Sequence, residues 1–89
     1  MRELLVTSQF KKDLKKAKKR RKDLSKLENI LDKLTSSEAL EPKNRPHRLA
    51  GDWKPCWECH IEPDWLLIWD EDETSVTLIR TGTHSDLFD

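Results

Sequence analysis

No part of this chain stays apolar for long. The longest such run, Trp65-Leu66-Leu67-Ile68-Trp69, is far short of the ~20 residues that a membrane-crossing helix needs. Nor does Met1-Arg2-Glu3-Leu4-Leu5-Val6 offer the apolar stretch and small-residue cleavage site of a secretory signal. A soluble, cytoplasmic protein with no membrane partner is expected. Cysteine is scarce at two residues, and nothing in the chain calls for an oxidising compartment. Internal repeats are lacking too. With 35% hydrophobic against 38% charged residues, the chain can build only a compact and well-patterned core. Four tryptophans help, because each large ring buries much area at modest entropic cost. One domain spanning residues 1–89 is expected.

Net charge is also missing, but the balance hides an asymmetry. Residues 1–54 hold sixteen Lys/Arg against eight Asp/Glu, a balance of +8. Residues 55–89 hold Arg80 alone against nine acids, a balance of −8. Such halves either complement each other within the fold or present a basic face to a polyanion. The basic half is densest from Lys11 to Lys22, where Lys11, Lys12, Lys15, Lys16, Lys18, Lys19, Arg20, Arg21 and Lys22 are interrupted only by Asp13, Leu14 and Ala17. Most charge runs are solvated helix faces. This one is barely diluted by acids, as a surface that tracks phosphates requires, so a nucleic-acid partner is the favoured reading.

The patterning predicts the order β-α-α-β-β-β-β. Leu4-Leu5-Val6 reads as a first strand, with Thr7-Ser8 at a helix start. Phe10, Leu14 and Ala17 recur at helical spacing, and Leu24, Leu27, Ile30, Leu31 and Leu34 form a second apolar stripe. Two prolines, Pro42 and Pro46, make a loop before His47. Leu49 to Trp53 suggests a short strand and a turn. From Cys56 to Glu62 apolar and polar residues largely alternate, a half-buried strand with Glu58, His60 and Glu62 on its open face. Pro63-Asp64 turns into the central strand Trp65–Trp69, Asp70–Glu73 forms a charged hairpin tip, and Ser75–Thr81 is the last strand. The class is α+β: an antiparallel sheet of four to five strands with a helical hairpin on one face.

Cys56-Trp57-Glu58-Cys59-His60 matches C-x-x-C-H, the attachment motif of c-type haem. That reading needs an export signal and a mostly helical shell. The strand assignment also puts the two sulfurs on opposite faces, roughly 10 Å apart at ~3.3 Å per residue, beyond the reach of a disulfide. A zinc site with His84 lacks a fourth ligand at usual spacing. Cys59 is read as core and Cys56 as incidental; no metal or cofactor is expected.

The histidines carry more. One histidine alone is usually a satisfied polar residue. Here His60 lies on an open strand face, His84 just past a strand end and His47 in a loop, with Asp64 four residues after His60. Imidazole, with a pKa near ~6.5, gives or takes protons at neutral pH, and a carboxylate can hold the ring. Metal-free RNA cleavage needs those parts. A base removes the 2′-hydroxyl proton, an acid protonates the leaving 5′-oxygen, and a cation such as Arg80 offsets phosphorane charge.

His47-Arg48-Leu49-Ala50-Gly51-Asp52-Trp53, His60-Ile61-Glu62-Pro63-Asp64-Trp65-Leu66-Leu67-Ile68 and Arg80-Thr81-Gly82-Thr83-His84-Ser85-Asp86-Leu87-Phe88 together resemble the YafQ branch of the RelE/ParE toxin superfamily, over essentially the whole chain. The resemblance implies a RelE-like fold and a ribosome-dependent mRNA endonuclease without a metal, held inactive by a cognate antitoxin. It places the active site on His47, His60, Asp64, His84 and Phe88. His84 and Asp64 would transfer protons, His47 and His60 would orient the scissile phosphate, and Phe88 would position a base. The cysteine pair is not part of that pattern. Many RelE relatives use lysine, arginine and tyrosine in place of histidine. A ParE-like gyrase inhibitor of the same fold has no use for the histidines, and a non-catalytic RNA- or ribosome-binding module would need only the basic run.

Overall fold

The computed structural model describes residues 1–88. Strand β1 (Glu3–Val6) leads into helices α1 (Ser8–Lys19) and α2 (Leu24–Thr35). After a loop come β2 (His47–Arg48), β3 (Trp57–Glu62), β4 (Trp65–Glu71), β5 (Ser75–Gly82) and the short helix α3 (His84–Phe88). The expected element order holds, with β2 shorter and slightly earlier than read, because Gly51–Trp53 winds into a 3-10 turn.

Each long helix starts on a side-chain cap. The Thr7 hydroxyl accepts from the Phe10 N–H at 3.0 Å, and Asp23 accepts from the Ser25 N–H at 3.0 Å. Between them Arg21 takes a left-handed conformation (φ 59°) that turns the chain back. Arg2 fixes the far end: it donates to the Leu34 carbonyl at the end of α2 and pairs with Glu71 on β4.

The sheet runs β1-β5-β4-β3-β2. β2 to β5 pair antiparallel, as consecutive short-turn strands must, whereas β1 returns beside β5 in parallel and makes the sheet mixed. β4 is central, and Trp65 to Trp69 are all buried. One face carries the helices. There Phe10, Ala17, Leu27, Ile30 and Leu34 pack on Cys59, Trp65, Leu67, Trp69, Val76 and Leu78, each fully buried large side chain contributing about 1.5–3 kcal/mol. The other face has a smaller cluster of Leu66, Ile68 and Leu87, flanked by Leu49, Trp53, Cys56 and Ile79.

Two register shifts interrupt the pairing, one between His60 and Glu62 and one beside Ile68 and Trp69. The first corrects the strict alternation expected for β3. Glu58 and His60 keep the open face, opposite Ile68 and Leu66. Glu62 instead lies opposite Trp65 and turns to the helices, where Lys26 reaches it at 2.9 Å and Lys22 at 3.7 Å. An extra residue in a strand does this by reversing the side-chain alternation beyond it. The cysteines do lie on opposite faces, Cys59 among the helix-side residues and Cys56 in the smaller cluster.

A histidine and carboxylate site on the open face

Four elements bring the candidate residues together. His60 comes from β3, Asp64 from the turn after it, His84 from the start of α3 and His47 from the edge strand β2. Asp64 Oδ1 accepts both the backbone N–H of His84 at 3.0 Å and its ring Nδ1 at 2.6 Å. Those two bonds, the backbone one first, hold the Asp64 carboxyl below its ordinary range. The His60 and His84 rings stand 5.9 Å apart, centroid to centroid, tilted by 54°.

Hydrogen-bond partners settle the tautomers. His60 Nδ1 faces the Pro63 carbonyl at 3.2 Å, and a carbonyl only accepts, so Nδ1 carries the proton. His84 Nδ1 faces a carboxylate and carries one too. Both rings therefore leave Nε2 to exchange a proton with a ligand. Asn44, buried, donates to the His60 carbonyl at 2.8 Å and fixes that stretch of β3.

His47 joins through a residue that sequence reasoning placed on the open face but left out of the site. Its Nδ1 donates to the Arg45 carbonyl at 2.8 Å, and its Nε2 lies 3.2 Å from Glu58 Oε1. Glu58 is directly across the β2–β3 pair and two residues before His60 on the same face. With Nδ1 turned to the Arg45 carbonyl, Nε2 is the ring nitrogen that faces the Glu58 carboxyl. The i, i+2 spacing of Glu58 and His60 was the available signal.

Phe88, 45% exposed, meets Trp53 edge-to-face at 5.9 Å. Trp53 was not singled out from the sequence. It is delivered by a 3-10 turn opening at Gly51, whose φ of 66° suits glycine. The pair forms an aromatic ledge at the end of α3.

Arg80 is occupied. Its Nε and Nη2 fork over the Asp13 carboxylate at 2.9 and 3.0 Å, leaving Nη1 without a partner among the described residues. The basic run divides in the same way. Lys16 and Arg20 reach Asp86 on α3 at 3.0 and 2.6 Å, and Lys22 turns to Glu62. Lys11, Lys12, Lys15, Lys18, Lys19 and Arg21 are exposed and make no ion pair among the described residues. Part of the run therefore complements acids within the fold, and the rest stays on the exposed surface. Among the described residues, no helix is long and apolar enough to cross a membrane, and no group of three or more His, Cys, Asp or Glu converges to hold a metal ion.

A family model described as the bacterial toxin of type II toxin–antitoxin systems, YafQ, matches residues 2–89. The mRNA interferase toxin YafQ of Escherichia coli strain K12 is 38% identical over 88 residues, covering 98% of this chain and 96% of the relative. Among solved structures, the YafQ chain of an E. coli DinJ–YafQ toxin–antitoxin complex superposes with a TM-score of 0.91 at 37% identity, over 99% of this chain and 98% of that one. A copper-bound mutant toxin from Helicobacter pylori reaches a TM-score of 0.94 at 38% identity, over 99% of this chain and 100% of that one.

Proposed function

Because this chain belongs to the YafQ family of type II toxin–antitoxin toxins, we propose that it is an mRNA interferase that cuts ribosome-bound message by acid–base chemistry on its own side chains. The observation that carries the proposal is the His84–Asp64 contact with the His60 ring 5.9 Å away. Two neighbouring imidazoles, each with Nδ1 engaged and Nε2 left over, supply the two proton transfers of RNA cleavage. One takes the 2′-hydroxyl proton as the 2′-oxygen attacks phosphorus. The other gives a proton to the 5′-oxygen as the P–O5′ bond breaks, leaving a 2′,3′-cyclic phosphate and a 5′-hydroxyl.

Asp64 stabilises His84 while it is positively charged and keeps its tautomer fixed, as a carboxylate does for an imidazole in hydrolytic triads. His47 orients the scissile phosphate, while His60, which the resemblance would also set on the phosphate, takes the second proton transfer beside His84. Phe88, backed by Trp53, stacks on a base, which is sequence-tolerant binding. Arg80, with Nε and Nη2 committed to Asp13, has only Nη1 left to offset phosphorane charge, so its contribution is secondary to the imidazoles. The unpaired cations of α1 contact ribosomal RNA phosphates. Partners are thus the mRNA-loaded ribosome in the cytoplasm and a cognate antitoxin that neutralises the toxin, as DinJ assembles with the E. coli relative.

The test is a translation-coupled cleavage assay comparing wild type with His84→Ala. Wild type should cut ribosome-bound message, and the variant should be slower by about 10²–10⁴-fold. Failure of the wild type to cut such a message would sink the proposal, and trapping of gyrase instead would favour the ParE-like alternative.

A further inference from the structure

Asp86 lies two residues after His84 and has no place in the proton chemistry, yet it is among the most heavily bonded side chains of the protein. Its Oδ2 accepts from Arg20 Nη1 at 2.6 Å and from the Thr83 N–H at 3.0 Å. Its Oδ1 accepts from Lys16 Nζ at 3.0 Å and Arg20 Nη2 at 3.2 Å. In return its own N–H donates to the Thr83 hydroxyl at 3.1 Å. Thr83 and Asp86 thus form a reciprocal capping box around the first turn of α3, and α1 grips that box through two cations. The Asp86 side chain is only 13% exposed although it sits on a charged surface. Arg20 first, and then the Thr83 N–H, hold its carboxyl far below the ordinary range against the opposing effect of burial. Even the neighbouring glycine is fitted to it: a Cβ on Gly82 would stand 2.9 Å from the Asp86 Cβ.

A helix of five residues does not hold its own position, since it barely closes one turn of hydrogen bonds. What fixes α3 is Leu87, buried against Leu66 and Ile68, the His84–Asp64 contact and the Asp86 clamp. Of these only the clamp reaches another helix. We propose that Asp86 is a positioning residue, through which Lys16 of α1 and Arg20 at its C-terminal cap set the placement of α3 and hence of His84 against Asp64 and Phe88 against Trp53. Lys16 and Arg20 then serve the reaction from within the protein, and not as ribosome contacts like their neighbours. The inference rests on the catalytic reading of His84 but makes a separate claim about structure.

The experiment uses the full chain carrying Asp86→Asn, Arg20→Gln or both. Folding is checked by circular dichroism. The His84 ring signals are followed by ¹H–¹⁵N NMR of the free protein, and cleavage is measured at saturating and limiting programmed ribosomes. Asp86→Asn and Arg20→Gln should each shift the His84 Nδ1–H signal toward that of an unconstrained ring. Each should also lower the saturating rate on the order of 10–100-fold, as a small misplacement does, with half-saturating ribosome concentration unchanged. The double variant should be no slower than Asp86→Asn, because both changes act through one contact. Unchanged His84 signals and saturating rate in folded Asp86→Asn would overturn the inference. So would an Arg20→Gln variant that only raises the half-saturating ribosome concentration, which marks a direct RNA contact. If wild type cuts nothing, the reaction proposal falls, and the NMR comparison still decides the positioning claim on its own.

Discussion

His47 Nε2 stands 3.2 Å from Glu58 Oε1, and the other oxygen of that carboxylate is buried with no hydrogen-bond partner among the described residues. Glu58 is 5% exposed and faces the apolar Ile68 across the β3–β4 pair. A buried acceptor left unmatched costs ~1–3 kcal/mol, so this residue is held at the expense of stability. Replacing it with leucine removes the orphan oxygen and extends the apolar surface beside Ile68, while the half-exposed His47 can be rehydrated. Glu58→Leu should therefore be more stable by about 1 kcal/mol, raising Tm by roughly 4–8 °C for a domain of this size. The same change frees His47 and should slow message cleavage at least about tenfold. Thermal melts beside a cleavage assay check the two directions. A variant less stable than wild type would show that the lone oxygen is satisfied by the solvent or by a neighbour.

The Arg80–Asp13 fork joins β5 to α1, and the Thr81 N–H completes it by donating to Asp13 at 3.2 Å. Burial pushes the Asp13 carboxyl up, but the bonds from Arg80, Gln9 and Thr81 together outweigh it, and the net shift is downward. A carboxylate depressed in the folded state adds stability above its unfolded pKa of ~3.9 and loses it as pH falls toward the folded value. Asp13→Asn should thus cost about 3 kcal/mol near neutrality, the lower end for breaking a buried pair because Arg80 retains access to water. The variant should also lose less stability than wild type between about pH 4 and 2. Urea melts across that range test both. Parallel acid limbs in the two proteins would mean that Asp13 titrates normally.

How far the sequence could be read follows from which interactions are local. Helices α1 and α2 and the hairpin β4–β5 were legible because their signals are periodic or contiguous: the Leu27, Ile30, Leu34 stripe, the Trp65–Trp69 run and the acidic tip. The motif segments around His60, Asp64 and His84 also pointed to one site. The parallel pairing of β1 with β5 was not legible, since it is set by the helical connection and not by anything in Leu4-Leu5-Val6. The turned Glu62 depends on a register shift that leaves no mark on the alternation. Lys16 and Arg20 looked like any other cations of the run. Only the fold reveals that they lie on the flank of α1 facing α3.

The two cysteines should differ sharply in reactivity. Cys59 is fully buried in the helix-side core, and burial, helped by the nearby Glu58, pushes its thiol up to about 12. Cys56 is half-buried, and burial followed by Asp70 raises its thiol as well. Since only the thiolate is alkylated, native protein at pH 8 should take up iodoacetamide slowly at Cys56 and not at Cys59, whereas both react in denaturant. Peptide mass spectrometry reads the sites directly. Native labelling of Cys59 at the pace of Cys56 would contradict its place in the core.

The division of the basic helix makes the last expectation quantitative. Lys12, Lys15 and Lys19 follow one another at helical spacing on the side of α1 away from Phe10 and Ala17, which are buried. They have no partner among the described residues, so their charge is available to phosphates. Each phosphate contact contributes about 0.7–0.9 to the slope of log affinity against log salt concentration. Lys12→Gln, Lys15→Gln and Lys19→Gln should each weaken ribosome binding and reduce that slope by about 1, with the saturating cleavage rate maintained once ribosomes are in excess. Arg20→Gln should leave the slope as it is, because its guanidinium is already spent on Asp86. Titrations at several salt concentrations separate the two groups. A slope that drops equally for Arg20 and Lys15 would place both on the ribosome and remove the distinction.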